Sequence, residues 1–490
     1  MDHNIFVIFK DQTKVYCKTY VAFLMLMLFS GFVVNAQTTT WQGGATGAWN
    51  IAGNWDNGVP GTGDHAIINN ATVNLGGGTI NIGSIAIQGG GLSNGILNTG
   101  NTNNTSTFSG GSDVNVTLNL VNKTIELNGA HFFQECSFAK TGNAIAWSSG
   151  GNTFEEKVTL KNNSATGYFI LGSGNPDIFK KALEIDTQKT IYLASSGTGH
   201  EFHGDITIHS SSPAWIGFGL YGGKSTMAPG VKIIPSTNLT GTLVLAGIDL
   251  QTDLTFNTPN LHVFFGNYGT GALNKSNFRG AVDVSAKIIS LNGSTFHGIA
   301  RLTYDGGGSH PTYNGLGGNT FMQDAYLTMI NSTNGSFVTA TSAPDTFKGD
   351  VYVVNEANSG GIYLSHVAKG NVFEKNVYLK TSQASISIGS GGGTSTLPTG
   401  AKIEPLGGNG LTGGGVLLWG LDMTEPLDLN IANTRVNLGG VTNRNHFKSD
   451  VNLIADAVSI NGNTFDQSAT ITYAGNITHY NTFSAGSNIF

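Results

Sequence analysis

One seven-residue phrase limits what this chain can fold into more than any other feature: Phe-x-x-x-h-x-h, where h is apolar. It is clearest at Phe347 to Val353, Phe-Lys-Gly-Asp-Val-Tyr-Val, and recurs with Phe at 108, 154, 179, 202, 278, 296, 321, 347, 373, 447, 465 and 483. The residue six beyond Phe is Val, Leu or Ile in all twelve cases, and the residue four beyond is apolar in ten, Ser112 and Ser487 being the exceptions. Side chains at i, i+4 and i+6 share one face of a strand; on a helix they would point about 0°, 40° and 240° around the axis. The residue two before Phe is Asn at 152, 319, 371, 445, 463 and 481 and Asp at 177 and 345. Asn and Asp bond their own backbone and tolerate left-handed conformations, so they mark a corner.

Within a run, successive Phe residues lie 18 to 26 apart. That period predicts a solenoid in which each turn buries its apolar face against the next. Stacking in register would give an internal Phe ladder and a corner ladder of Asn amides. A longer period overlies the short one, because Phe154/Phe321, Phe179/Phe347, Phe202/Phe373 and Phe296/Phe465 keep offsets of 167 to 171. The gaps without the phrase after Phe202 and Phe373 span 76 and 74 residues, room for three turns each. The superrepeat is therefore seven turns of about 24 residues, the size of a three-strand coil in a parallel β-helix. Right-handed winding is expected, as parallel crossovers are overwhelmingly right-handed.

The first 36 residues read as a secretory signal peptide. A mildly basic start (Lys10, Lys14, Lys18) precedes a 14-residue apolar run, Val21 to Val34, and a small residue, Ala36, where a peptidase would cut. The run is short for a transmembrane span, and no other stretch looks like one. Cys17 precedes the apolar run, so it does not fit a lipoprotein signal. The chain after residue 36 holds 21 basic and 28 acidic residues, a formal charge of −7. That balance argues against nucleic acid and anionic membranes as partners. Charged residues are 11% of the chain and Gly is 70 of 490, which suits an exported β-protein with many corners. Cys136 is the one remaining cysteine, so no internal disulfide is available and Cys136 reads as a core thiol.

Trp41 to Ala71 carries the pattern Trp-x-Gly-Gly…Trp…Asn-Trp…Val-Pro-Gly…Asp-x-Ala-x-Ile. It resembles the opening segment of exported bacterial parallel β-helix surface proteins of the autotransporter and adhesin kind. The resemblance implies that the solenoid begins here. A first turn exposes apolar surface and open strand edges, which Trp41, Trp49 and Trp55 can cover; the rival reading is an aromatic sugar platform. The expected organisation is signal peptide 1–36, cap 37–78, early turns 79–107, superrepeat copies 108–277 and 278–446, and a partial third copy 447–490. The third copy stops early, at Gly-Ser-Asn-Ile-Phe. A longer parent chain, or a partner that supplies anchoring, is expected.

Chemistry is sparse. The densest cluster is His200, Glu201, His203, Asp205 and His209. His203, Asp205 and His209 would alternate along a strand whose core residues are Ile206 and Ile208. They read either as acids and bases on an outer face, as in pectate-lyase-like enzymes, or as a solvated strand face. Asp64-His65 falls in the cap motif, and Asp249 and Asp422 recur at Gly-h-Asp-h, so all three positions read as structural. The Gly runs at 89–91, 306–308, 391–393 and 413–415 lack the ending of a phosphate loop, and Gly407–Thr412 does not match the calcium nonapeptide. No metal-ligand spacing or nucleophile motif is present, and no cofactor is expected. The two functional expectations are a surface shaft that displays or binds ligands, with glycans or matrix polymers as partners, and a polysaccharide lyase or hydrolase on the same scaffold. Trp215, Tyr221, Tyr313 and Trp419 are the aromatics off the Phe ladder that a sugar would meet. The 454 residues after the leader allow roughly 19 turns and a rod on the order of 90 Å.

Overall fold

The computed structural model describes residues 36–490 except 195–198, 211, 221, 268–273, 307–314, 333–334, 367–369, 408–410 and 476–487. The signal peptide, Tyr221, Tyr313, Asn481, Phe483, part of the 306–308 Gly run and Gly408 to Gly410 therefore lie outside the described residues.

Strands that are distant in sequence pair in parallel with the turn before and the turn after, and the chain is an all-β parallel solenoid of about 17 turns. Each turn presents three faces. The first holds the short Phe strands, such as Thr153–Phe154, Ile178–Phe179 and Glu201–Phe202. The second holds Val158–Asn162, Leu183–Thr187, Ile206–Ser210 and their successors. The third holds Phe169–Leu171, Ile191–Leu193, Ala214–Phe218 and so on. Turn length varies, and Leu250 to Phe278 takes 28 residues. At about 4.8 Å per turn the rod is roughly 80 Å long.

The Phe ladder is real. From Phe132 to Phe202, Phe278 to Phe373 and Phe447 to Phe490 the rings stack at 4.7 to 5.5 Å and within 16° of parallel. Met227, Leu250, Leu397 and Met423 hold the same register where Phe is missing, so each gap is three turns. From Phe154 to Phe447 the residues four and six beyond each ladder Phe, such as Val158/Leu160 and Val351/Val353, are buried. Seven ladder steps separate Phe154 from Phe321, and seven separate Phe321 from Phe490.

Both ends of the ladder differ from the sequence expectation. Phe108 belongs to Thr105–Ser109, where it pairs with Leu127, and meets Phe132 edge-on. The ladder begins at Phe132, which the phrase conceals because Ala130, Cys136 and Phe138 occupy its key positions. At the other end Phe465 stacks on Phe490, with Thr464 bridged to Ile489.

Two polar ladders fix the corners. Where a polar residue stands two before the ladder position, its side chain accepts the backbone N–H of its counterpart one turn earlier. Asp177 accepts from Asn152, Asn319 from Ser294, Asn371 from Asp345 and Asn445 from Leu421, all at 2.9 Å. Three residues after the ladder position, a carboxylate or amide accepts the N–H one turn later. Asp253 takes Ala281 N–H at 2.8 Å, Asp324 takes Asp350 N–H at 3.0 Å and Asp350 takes Asn376 N–H at 3.1 Å. Buried backbone donors at the corners are thereby satisfied without a sheet partner.

Trp41, Trp49 and Trp55 close the N-terminal end. All three are buried, with Trp55 edge-on to Trp41 at 5.1 Å and to Trp49 at 4.8 Å. Gly43 and Gly47 are needed there, since a Cβ at either would lie under 3 Å from Trp41. Buried rings offer no free face to a sugar, so the geometry is that of a cover.

Candidate functional site

The five-residue cluster does not converge. His200 is the corner-ladder residue before Phe202 and is wholly buried. Its Nδ1 accepts Asp177 N–H at 2.9 Å and its ring approaches the Leu171 carbonyl, while burial pushes its pKa down to about 3 and keeps it neutral. Gly172 leaves room for the ring; a Cβ there would sit 2.2 Å from His200. Glu201 and His203 are exposed neighbours 3.6 Å apart.

His203 and Asp205 lie on the corner before Ile206–Ser210, not on that strand as the alternation suggested. Asp205 belongs to the second corner ladder and accepts Lys232 N–H at 2.9 Å. His209 lies at the exposed far part of the strand, in register with Asp186, which in turn holds Lys161 at 2.8 Å. Four strand residues put about 13 Å between Asp205 and His209 along the chain. A proton donor and acceptor at that separation do not share one bond of a substrate.

Other acidic groups are committed to holding turns together. Glu155 takes His131 at 2.6 Å and Lys180 at 2.8 Å, and these partners, Lys180 first, hold its carboxyl below the usual range. Glu184 pairs with Lys157, Glu356 with Lys380 and Asp422 with Lys448, each across adjacent turns. Asp249 receives a two-pronged bond from Arg279, at 2.7 and 2.8 Å. Asp249 and Asp422 are thus strand residues paired with a base one turn on, rather than corner caps. In the cap, Asp64 accepts N–H bonds from Gly61 and Gln37, and His65 Nδ1 contacts the Ser84 hydroxyl at 2.7 Å. Cys136 is buried, its Sγ 3.3 Å from the Gln134 carbonyl, and burial pushes the thiol up. Among the described residues no three His, Cys, Asp or Glu side chains come together to hold a metal ion, and no helix is long and apolar enough to cross a membrane.

The aromatic candidates also change. Trp215 and Trp419 are half-buried. The open aromatic surface is instead on the third face, where Trp147 is 53% exposed beside Tyr168 (40%) and Ile145 (41%). Trp147 is in register with Ile170 and then Tyr192. Those two belong with Leu220, Val244, Ala246 and Phe264 to a second apolar cluster outside the sheet. The exposed patch is the uncovered continuation of that row. Trp147 sits alone in a Ser- and Gly-rich stretch, so only the register reveals its neighbours.

A third array stands on the second face. Tyr326, Tyr352 and Tyr378 stack at 4.3 and 5.0 Å, and the Arg301 guanidinium lies 4.8 Å from the Tyr326 centroid. Their rings cover one another's faces, so the array presents edges and hydroxyls rather than a stacking platform. Burial, with Tyr326 and Asp350 nearby, lifts the Tyr352 hydroxyl to about 12. Each Tyr lies five residues after a ladder Phe, a spacing legible in the sequence.

No family model, curated protein or solved structure matches this chain.

Proposed function

We propose that this chain is an exported bacterial surface protein of the adhesin kind, in which the solenoid is a shaft that contacts ligands along its side. The observation that carries this reading is the use made of charge. In the candidate cluster Asp205 caps a backbone N–H, and elsewhere Glu155, Glu184, Asp249, Glu356 and Asp422 each pair with a base one turn away. Such bonds stiffen a rod; they do not assemble an acid and a base around a substrate. The exposed Trp147–Tyr168 patch adds a lateral surface suited to stacking on the apolar face of a sugar ring. Signal-peptide cleavage before Gln37 and surface exposure are parts of the same proposal, supported by the leader's charge and apolar run and by the cap that follows it.

The test combines export and activity. Produced with its own leader in a bacterial host, the protein is expected outside the cytoplasm with Gln37 at its N-terminus, and in solution it should scatter as a rod of roughly 80 Å. Incubated with a panel of polysaccharides it should release no product. An intact leader on a cytoplasmic chain would remove the surface reading. Product release lost in a His203→Ala/Asp205→Ala variant would replace it with a polysaccharide lyase or hydrolase.

A further inference from the structure

The corner between the first and second faces is two residues longer at 228–232 than at 203–205, and the same long corner recurs at 398–402. Each carries a glycine in the left-handed region, Gly230 at φ 93° and Gly400 at φ 91°. In the second case Glu425, one turn on, accepts the Gly400 N–H at 2.8 Å and closes the corner. The residue in the place of Glu425 one superrepeat earlier is Thr252, two positions beyond its ladder residue Leu250 as Glu425 is beyond Met423. Its shorter side chain donates its hydroxyl to the Val231 carbonyl.

A groove of about 580 Å³ lies beside this corner, lined by Lys232, Ile233, Ile234, Thr252, Asp253 and Thr255. Ile234 is 42% exposed. The counterparts of Ile234, Thr252 and Thr255 in the next superrepeat are Glu404, Glu425 and Asp428. Acidic side chains thus stand where the earlier copy has an apolar residue and two hydroxyls.

We propose that the groove beside the 228–232 corner binds a hexose unit of a neutral glycan. Its volume falls in the range of small-ligand sites, about 300–1,000 Å³. A pyranose ring offers an apolar C–H face within a rim of hydroxyls. Ile234 supplies apolar floor for the face. Thr252, Thr255, Lys232 and Asp253 supply donors and acceptors for the rim. One Asp253 oxygen already accepts the Ala281 N–H at 2.8 Å, which fixes the carboxylate in place. Lys232 and Asp253 balance in charge, which favours a neutral sugar over a uronate. The proposal adds a ligand to the display reading but stands independently of where the chain resides.

The test is affinity electrophoresis of the full chain in gels containing hydroxyethyl cellulose, galactomannan, laminarin or alginate. At least one neutral polymer should retard it. Thr252→Glu and Ile234→Glu, which transplant the residues of the following superrepeat, should each weaken retardation roughly tenfold or more, with an unchanged melting temperature. Retardation by none of the neutral polymers, or by alginate alone, overturns the proposal. So does retardation that survives both substitutions. Neither substitution touches export or rod length, so failure of the groove and failure of the display reading are separately visible.

Discussion

Asn319 donates both its backbone N–H (2.9 Å) and its side-chain amide (2.8 Å) to a single oxygen of Asp345, while the other carboxylate oxygen is buried beside Thr339 with no well-formed hydrogen bond among the described residues. Asp177 receives the same pair of bonds from Asn152, and its other oxygen is likewise buried with no well-formed hydrogen bond among the described residues. Burial lifts the Asp345 carboxyl to about 6 and Asp177 to about 7. These carboxyls are raised, so the protonated form suits the fold. The stability they contribute is fully present below about pH 4, the unfolded value, and is lost as pH rises through 6 to 7. Asn holds the equivalent place at 152, 319, 371, 445 and 463, and its amide can donate where that second oxygen accepts no well-formed bond. Asp345→Asn should therefore raise the melting temperature by about 2–4 °C at pH 8 and give no gain near pH 4. Thermal melts across that range check it; a variant that melts lower at pH 8 would contradict the assignment.

His200 works in the opposite sense. Its pKa is lowered by burial to about 3, so the stability it contributes is present above about pH 6.5 and lost as pH falls toward 3. It adjoins Asp177, with Nδ1 3.6 Å from the second carboxylate oxygen. The two windows overlap between about pH 4 and 6.5, where the His200 contribution rises with pH while the carboxyl contributions fall. His200→Asn should therefore remove the rising part and make the melting temperature fall more steeply with pH across that range. Melting temperature against pH for the wild type and this variant reads both slopes.

Phe321 stacks between Phe296 and Phe347 at 4.8 and 4.7 Å and is buried, whereas Phe490 is 82% exposed with one described stacking partner. Phe321→Ala should cost about 3–5 kcal/mol and Phe490→Ala well under 1 kcal/mol. Because each turn packs mainly against its neighbours, the loss should be local. Hydrogen exchange should accelerate first around Thr295–Phe296 and Thr346–Phe347. Uniform acceleration along the rod would mean that the solenoid unfolds as one unit.

The ladder was legible because its signal is local: one aromatic, two apolar positions and a corner residue within nine residues. Phe132 was hidden where Cys136 and Phe138 replace the aliphatic pair, and Phe108 misled because a strand of the same pattern lies on another face. The tyrosine array was legible in principle, since Tyr326, Tyr352 and Tyr378 fill one slot of three successive phrases. The Trp147 patch and the 228–232 groove were not. Each depends on which outward positions of different turns lie side by side, and turn lengths from 18 to 28 residues make that register unreadable from spacing alone. The His203, Asp205 and His209 cluster failed for a related reason. Alternation was carried three residues upstream of the strand, to His203, into a corner where it does not apply.

Asp205 gives the sharpest separation of structural from catalytic roles. Its carboxylate accepts the Lys232 N–H at 2.9 Å, the bond that Asp253, Asp324 and Asp350 make in other turns. Asp205→Ala removes the acceptor and should cost about 1 kcal/mol of stability. Asp205→Asn, which keeps an acceptor oxygen as Asn376 does toward Lys402, should restore most of it. A general acid or base would behave otherwise, since the amide cannot exchange a proton and would be as inactive as Ala. His203→Ala should leave stability unchanged, because its described ionic contact is an exposed one with Glu201 at 3.6 Å. Chemical denaturation of the three variants, read beside polysaccharide product release, distinguishes the two roles. Rescue of stability by Asn with no activity to lose is the result a corner cap requires.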